Sequence, residues 1–170
     1  MNAKEKSYTM ALAALLLIGL SAAWAGYSSV ATISASDIAD FASVSPGSGL
    51  SLTGLKKNVW FYKNVFSVFT ISKVNVSDIY VLVGVINMAD LADDFRSLNL
   101  NVTLKKDTTV EDWGVISLEG GTGSVLLQAK GLSGSPNLTV DIYVWGRPAK
   151  TGSATISLYC AVEPATGVSA

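Results

Sequence analysis

Leu98-Asn99-Leu100-Asn101-Val102-Thr103-Leu104-Lys105 carries the plainest structural signal in the chain. Leu98, Leu100, Val102 and Leu104 share one face, while Asn99, Asn101 and Thr103 take the other. A period of two is the geometry of a β-strand with one face on a core and the other in water. Such a strand needs a second layer to cover its leucines.

Outward from this run, short strand-like segments recur with turn residues between them. Asp78 to Asn87 is almost continuously apolar (Ile79-Tyr80-Val81-Leu82-Val83-Gly84-Val85-Ile86), as a central strand buried on both faces would be. Asn58 to Tyr62 and Val65 to Val74 are dense in β-branched and aromatic residues, with a join expected at Lys63-Asn64. Leu50 to Thr53 is short; Val115 to Leu118, Ser124 to Ala129, Leu138 to Trp145 and Ala154 to Val162 complete the set. Turns are expected at Gly120-Gly121, Gly131 to Asn137 and Gly146 to Gly152. Only Met88 to Ser97 has helical spacing: Asn87 can cap it, Asp90 follows three residues on, and Leu91 and Phe95 stack four apart. The pattern predicts an all-β fold, a jelly-roll-like β-sandwich over residues 50–170 with one short helix. No fixed-period repeat suggests a solenoid or propeller.

The first 25 residues have a different character. Lys4 and Lys6 precede an apolar stretch, Met10 to Gly19, and a small-residue end, Ala23-Trp24-Ala25, the layout of a cleavable export signal. Two alternatives keep the apolar stretch: a membrane anchor, or the retained helix of a type IV pilin. Met10 to Ala25 falls short of the roughly 20 apolar residues a spanning helix needs, and Lys6-Ser7-Tyr8 fits a pilin cleavage pair poorly. Residues 26–42 then read as an extended arm, with Tyr27, Ala31 and Ile33 on one face and mostly Ser and Thr on the other. Residues 43–49, with Pro46, Gly47 and Gly49, read as a linker to the sandwich.

Composition narrows the chemistry. Of 170 residues, 49% are hydrophobic and 15% charged, against about 25% charged in an ordinary domain. Without Lys4, Glu5 and Lys6, ten basic and twelve acidic residues remain, so no cationic surplus is available to neutralise phosphates, and nucleic acid is not an expected partner. There is no histidine, which removes Ser-His-Asp and Cys-His catalysis and the histidine zinc sites. No phosphate-cradling glycine motif follows a strand; Glu119 to Gly123 reads as a hairpin loop. The lone Cys160 sits in an apolar run and reads as a small buried hydrophobe, with an intermolecular bridge as the alternative. Asp90, Asp93, Asp94, Glu111 and Asp112 read as solvated carboxylates, against a calcium site or a glycosidase pair. No metal and no cofactor is expected. Asn75, Asn101 and Asn137 each head an N-glycosylation sequon. The run Trp60-Phe61-Tyr62 puts rings on both faces of a strand, buried at a sandwich corner or exposed as a contact or sugar-stacking surface.

Gly26-Tyr27-Ser28-Ser29 directly behind the signal, a polar and small-residue stretch, Phe41, and the Gly-led Gly49-Leu50-Ser51-Leu52-Thr53 together resemble the TasA/camelysin family over residues 20–54. Within it the pattern is similar to the archaeal subunits of extracellular bundling pili (AbpA type). The resemblance implies a secreted jelly-roll subunit of a biofilm-matrix fibre that donates its first strand to a neighbour. The donor residues would be Tyr27, Ser29, Ala31, Ile33, Ala35 and Ile38. The peptidase activity described for the camelysin branch is not implied, since no histidine is present to hold its metal. The expected partner is the protein itself, as a head-to-tail homopolymer on the cell surface, with neighbouring filaments as a further contact and no membrane once the signal is removed. The competing expectations are a type IV-pilin-like filament and a secreted glycan- or surface-binding module using the Trp60 to Tyr62 or Trp113 region.

Overall fold

The computed structural model describes residues 41–47 and 49–165. The export signal and the arm with Tyr27 to Ile38 lie outside the described residues. Where the sequence alternates, strands form, and their order follows from which faces are apolar. One sheet joins five strands in the order β1 (Ser43–Pro46), β3 (Phe61–Ser72), β8 (Leu138–Pro148), β5 (Phe95–Lys106), β6 (Thr109–Ser117). Facing it are β10 (Leu158–Pro164), β4 (Ile79–Val85) and β7 (Ser124–Ala129), in that order. A separate pair joins β2 (Leu50–Leu55) to β9 (Gly152–Ile156), and a single helix, α1 (Met88–Asp94), links β4 to β5. All pairings are antiparallel.

Only Ser157 separates β9 from β10, and its backbone is held on both sides: its carbonyl accepts from Ile86 N–H at 2.8 Å, and its N–H donates to Asn87 Oδ1 at 2.9 Å. β9 and β10 are thus one strand line, and β2 belongs to the same sheet as β4 and β7. The chain then alternates between sheets from β2 to β5, makes the β5–β6 hairpin, and alternates again to β9–β10. With β9–β10 counted as one line, four strands (β2, β9–β10, β4, β7) face the four strands β3, β8, β5 and β6, to which the short β1 is added at the β3 edge. Strands wound in this order are a jelly roll, so the expected fold class is met.

The inner faces meet as the alternation requires. Leu98, Leu100, Val102 and Leu104 of β5, Leu138, Val140, Ile142 and Val144 of β8, and Ile79, Val81 and Val83 of β4 are all buried. Each such side chain contributes about 1.5–3 kcal/mol. On one flank the sandwich is sewn shut: Asp112 Oδ2 on β6 accepts from Gln128 N–H on β7 at 2.8 Å, and Gly114 lies against Val125 with no room for a side chain.

Several expectations are corrected by tertiary pairing. The expected join at Lys63-Asn64 is not a turn. These residues pair with Val144 and Tyr143, and β3 is one strand interrupted by a bulge between Val65 and Phe69. Ser67 sits there at φ 51°, its N–H donating to Asp141 Oδ1 at 2.8 Å. The helix ends at Asp94 rather than Ser97, because Phe95 pairs with Pro148 and its ring packs on Phe61, centroids 5.8 Å apart. Asn87 makes no side-chain cap; its amide instead bridges to Thr155 O and Ser157 N. Ser43–Pro46, read as linker, is strand β1 on the end of β3, and the last two residues assigned to the arm belong to the body: Ala42 is buried and Phe41 O accepts from Asn75 N–H. Among the described residues no helix is long and apolar enough to cross a membrane.

The tightest point between central strands is Gly146, paired with both Phe61 and Leu98. A Cβ there would strike the carbonyl oxygen of Ser97, which is backbone and cannot rotate away. Gly146→Ala should therefore destabilise the domain by about 2 kcal/mol, read as a lower urea midpoint. Gly123→Ala, with open space around its Cβ position, should stay within about 0.5 kcal/mol of the parent.

Candidate assembly site: the free edge of the last strand

The flank opposite the β6–β7 seam is built differently. In a jelly roll the first strand runs along the full length of the last. Here that strand is divided. β1 covers Phe69 to Ser72 of β3 in one sheet; Pro46 ends it, and the chain crosses to the other sheet, where β2 covers β9 from Ile156 to Gly152. Pro46 has no N–H with which to continue a ladder. Gly47 N–H donates to Val68 O at 2.8 Å in a contact too close for any Cβ. Each half of the divided strand covers half of one sheet edge. Among the described residues, β10 and the first half of β3 have no strand on their outer side.

The direction of the β10 backbone groups follows from its fixed ends. Ser157 O receives Ile86 N–H and Ala165 N–H donates to Asp78 O, so both residues face β4. With an unbroken register between them and a period of two, Tyr159, Ala161 and Glu163 also face β4. The N–H and C=O groups of Leu158, Cys160 and Val162 point to the opposite, open side. Unpaired strand groups of this kind form a template for another strand.

The two open half-edges are not equivalent. Along β3, Lys63 Nζ reaches across to Ser51 O at 2.6 Å, and the space between β2 and β3 is a cleft of about 260 Å³ lined by Leu52, Leu55, Val59, Trp60, Phe61 and Tyr62. A lysine on an edge, followed by the bulge at Ser67, discourages pairing. β10 has neither device. It is flat and regular, with Cys160 and Val162 fully buried on its inner side. On its outer side a shallow apolar groove of about 250 Å³ runs over Tyr80, Leu82, Leu126 and Ala161, with Leu126 59% exposed.

The donor residues Tyr27, Ser29, Ala31, Ile33, Ala35 and Ile38 lie outside the described residues, so their meeting with β10 is not part of the geometry above. Asn75 and Asn137 are exposed beside the turn that leads to β4 and at the start of β8. Asn101 is half-buried in mid-strand, paired with Tyr143 and Val115, its Oδ1 3.5 Å from Thr103 Oγ1. The carboxylates are dispersed: Asp94 pairs with Lys150 at 3.1 Å, Asp112 holds Trp113 N and Gln128 N, and Asp90 sits in the first turn of α1. Among the described residues no three of His, Cys, Asp or Glu gather as a metal site. Trp60 (59%) and Tyr62 (77%) are exposed rather than buried at a corner; only Phe61 turns inward. The open edge of β10 has no signature in the sequence beyond the shortness of Leu50 to Thr53.

Burial pushes the Cys160 thiol from 9.0 up to about 12. The unfolded chain ionises this thiol first, so stability held below pH 9 should drain away between pH 9 and about 12, and Cys160→Ala should remove that part of the alkaline slope in denaturation curves. In a host that N-glycosylates, glycopeptide mass spectrometry should find Asn75 and Asn137 occupied and Asn101 bare, since a ladder-bound asparagine cannot be drawn into a transferase.

No family model matches the sequence, and no curated protein matches it. Among solved structures, the chain is weakly similar to the infectious bursal disease virus VP2 subviral particle, with 13% identity, 79% of this chain and 44% of that chain covered, and a TM-score of 0.20. The Gx strain of the same virus gives 12% identity, the same coverage and a TM-score of 0.18. This chain spans less than half the length of those proteins. At such TM-scores the likeness carries no weight for fold or function, and the jelly roll rests on its own strand order.

Proposed function

We propose that this chain is a structural subunit of an extracellular filament, exported by a cleaved signal and joined head to tail by strand donation. In this reading the arm Tyr27 to Ile38 of one copy pairs with the free edge of β10 in the next. The observation that carries it is the divided first strand: β2 covers β9 but not β10, and β1 lies near β10 without pairing with it, so Leu158, Cys160 and Val162 present ladder groups with no strand partner among the described residues.

Three physical points support the reading. A strand laid antiparallel on β10 would extend the line of β2, completing the first strand of the jelly roll. Residues directly opposite Leu158, Cys160 and Val162 would point inward with them, so a run such as Ala31, Ile33 and Ala35 would lay its apolar side against the interior that Cys160 and Val162 line. In this reading the arm of one copy meets the β10 edge of another, a heterologous contact that propagates as an open fibre. Backbone hydrogen bonds supply affinity and alternate side chains supply register, as in strand-addition complexes generally. The role is mechanical rather than catalytic: the sequence has no histidine, and Asp94 and Asp112 are engaged in structural contacts.

Electron microscopy and size-exclusion chromatography of protein lacking residues 1–25 test the proposal. Filaments are expected from the parent chain, and a folded monomer from the chain also lacking residues 26–38, with circular dichroism confirming the fold. Ile33→Asp should block extension more than Ser34→Asp. Leu158→Pro, which removes an N–H on the open side and leaves the β4 ladder whole, should also stop growth. Normal fibres from the chain without residues 26–38 would end the proposal.

A further inference from the structure

The outer face of the five-stranded sheet, remote from β10, carries a pattern that assembly does not use. Register places Tyr62 beside Trp145, Trp145 beside Asn99, and Asn64 beside Tyr143. Trp113 lies one strand further out, beside Thr103. Asn99, Tyr143 and Trp145 are outward because their strand neighbours Leu98, Leu100, Ile142 and Val144 make the core, and register sets the others on the same face. Tyr62, Trp113 and Tyr143 are exposed, and Tyr143 stacks on Trp145 with centroids 5.4 Å apart and planes at 26°. Four strands at their usual spacing give a platform about 14 Å wide.

We infer that this platform binds a neutral polysaccharide. Exposed aromatic area on one sheet face, with Trp113 set apart from Tyr62, Tyr143 and Trp145, marks an interaction surface, and the remaining groups select the partner. The rings do not form an unbroken apolar patch. They alternate with the amides of Asn64 and Asn99, which bond to no described residue and offer both donors and acceptors. A pyranose chain has the matching chemistry: axial C–H faces that lie on electron-rich rings and equatorial hydroxyls at the level of the amides. Charge favours a neutral ligand over an anionic one. Lys105 Nζ is 2.7 Å from Asp141 Oδ2, so the cation within the face is neutralised, and Arg147, whose Nε donates to Asn58 O, stands alone at its end. Single-stranded nucleic acid stacks on similar rings but needs a cationic groove.

Sedimentation of the full exported chain with insoluble β-glucan, and tryptophan fluorescence with a soluble gluco-oligosaccharide, test this directly. Retention on the glucan and a salt-insensitive fluorescence change are expected. Trp145→Ala and Trp113→Ala should each weaken binding at least tenfold, and Asn99→Ala several-fold. Leu126→Ala, on the opposite sheet, should leave binding unchanged. Binding that survives both tryptophan changes would overturn the inference. So would retention on single-stranded nucleic acid but not glucan, or an aromatic face that serves only to pair copies of the chain. Filament growth by these variants, scored in parallel, keeps the outcome separate from the fate of the strand-donation proposal.

Discussion

The architecture turns on the crossing at Pro46-Gly47. A full-length first strand would have to serve one sheet or the other. Pro46 withholds an N–H from the ladder, and Gly47 lets the backbone press against Ser67 and Val68, its N–H bonding Val68 O at 2.8 Å. The chain therefore changes layers midway. Everything distinctive about the flank follows from this one step: β1 on the end of β3, β2 on β9, and the bare length of β10 between them.

The other determinant is Asn87. A residue positioned to cap a helix instead spans from Thr155 O to Ser157 N and welds the end of β4 to the junction of β9 and β10. That weld fixes the parity of the last strand. Through it the side chains of Cys160 and Val162 turn to the core while their backbone groups turn to the open side. Leu158 follows the same parity. A slip of one residue would exchange these roles and expose the apolar face.

Much of the fold was legible in the sequence, and the misreadings share a cause. The inner faces of β4, β5 and β8 announce themselves by alternation or by unbroken apolar runs, because burial selects those side chains directly. Lys63-Asn64 looked like a turn because both are polar, yet strand β3 needs no apolar residue at positions that face water or the sandwich mouth. Phe95 fits a helix or a strand equally; its contact with Phe61 decides. Ser43–Pro46 has little strand propensity and is held by its pairing with β3 and by Val44 packing on the core. The open edge of β10 could not be read at all, since the absence of a neighbour leaves no mark on the strand that lacks it. The aromatic platform was half visible. Trp113 and the run Trp60 to Tyr62 were legible as candidate surface rings, but the sharing of one sheet face by Tyr62, Trp113, Tyr143 and Trp145 depends on long-range register.

The place of β10 in chain order has a kinetic consequence. β4 can pair with β7 early, but its other edge stays bare until Leu158–Pro164, the last strand of the body, closes on it. Non-local pairings of this kind fold slowly. Throughout that interval Ile79 to Val85, the most apolar stretch of the body, is shielded on one side only. The hazard is therefore greatest before β10 is made, and any process that delays delivery of Leu158–Pro164 favours aggregation through β4.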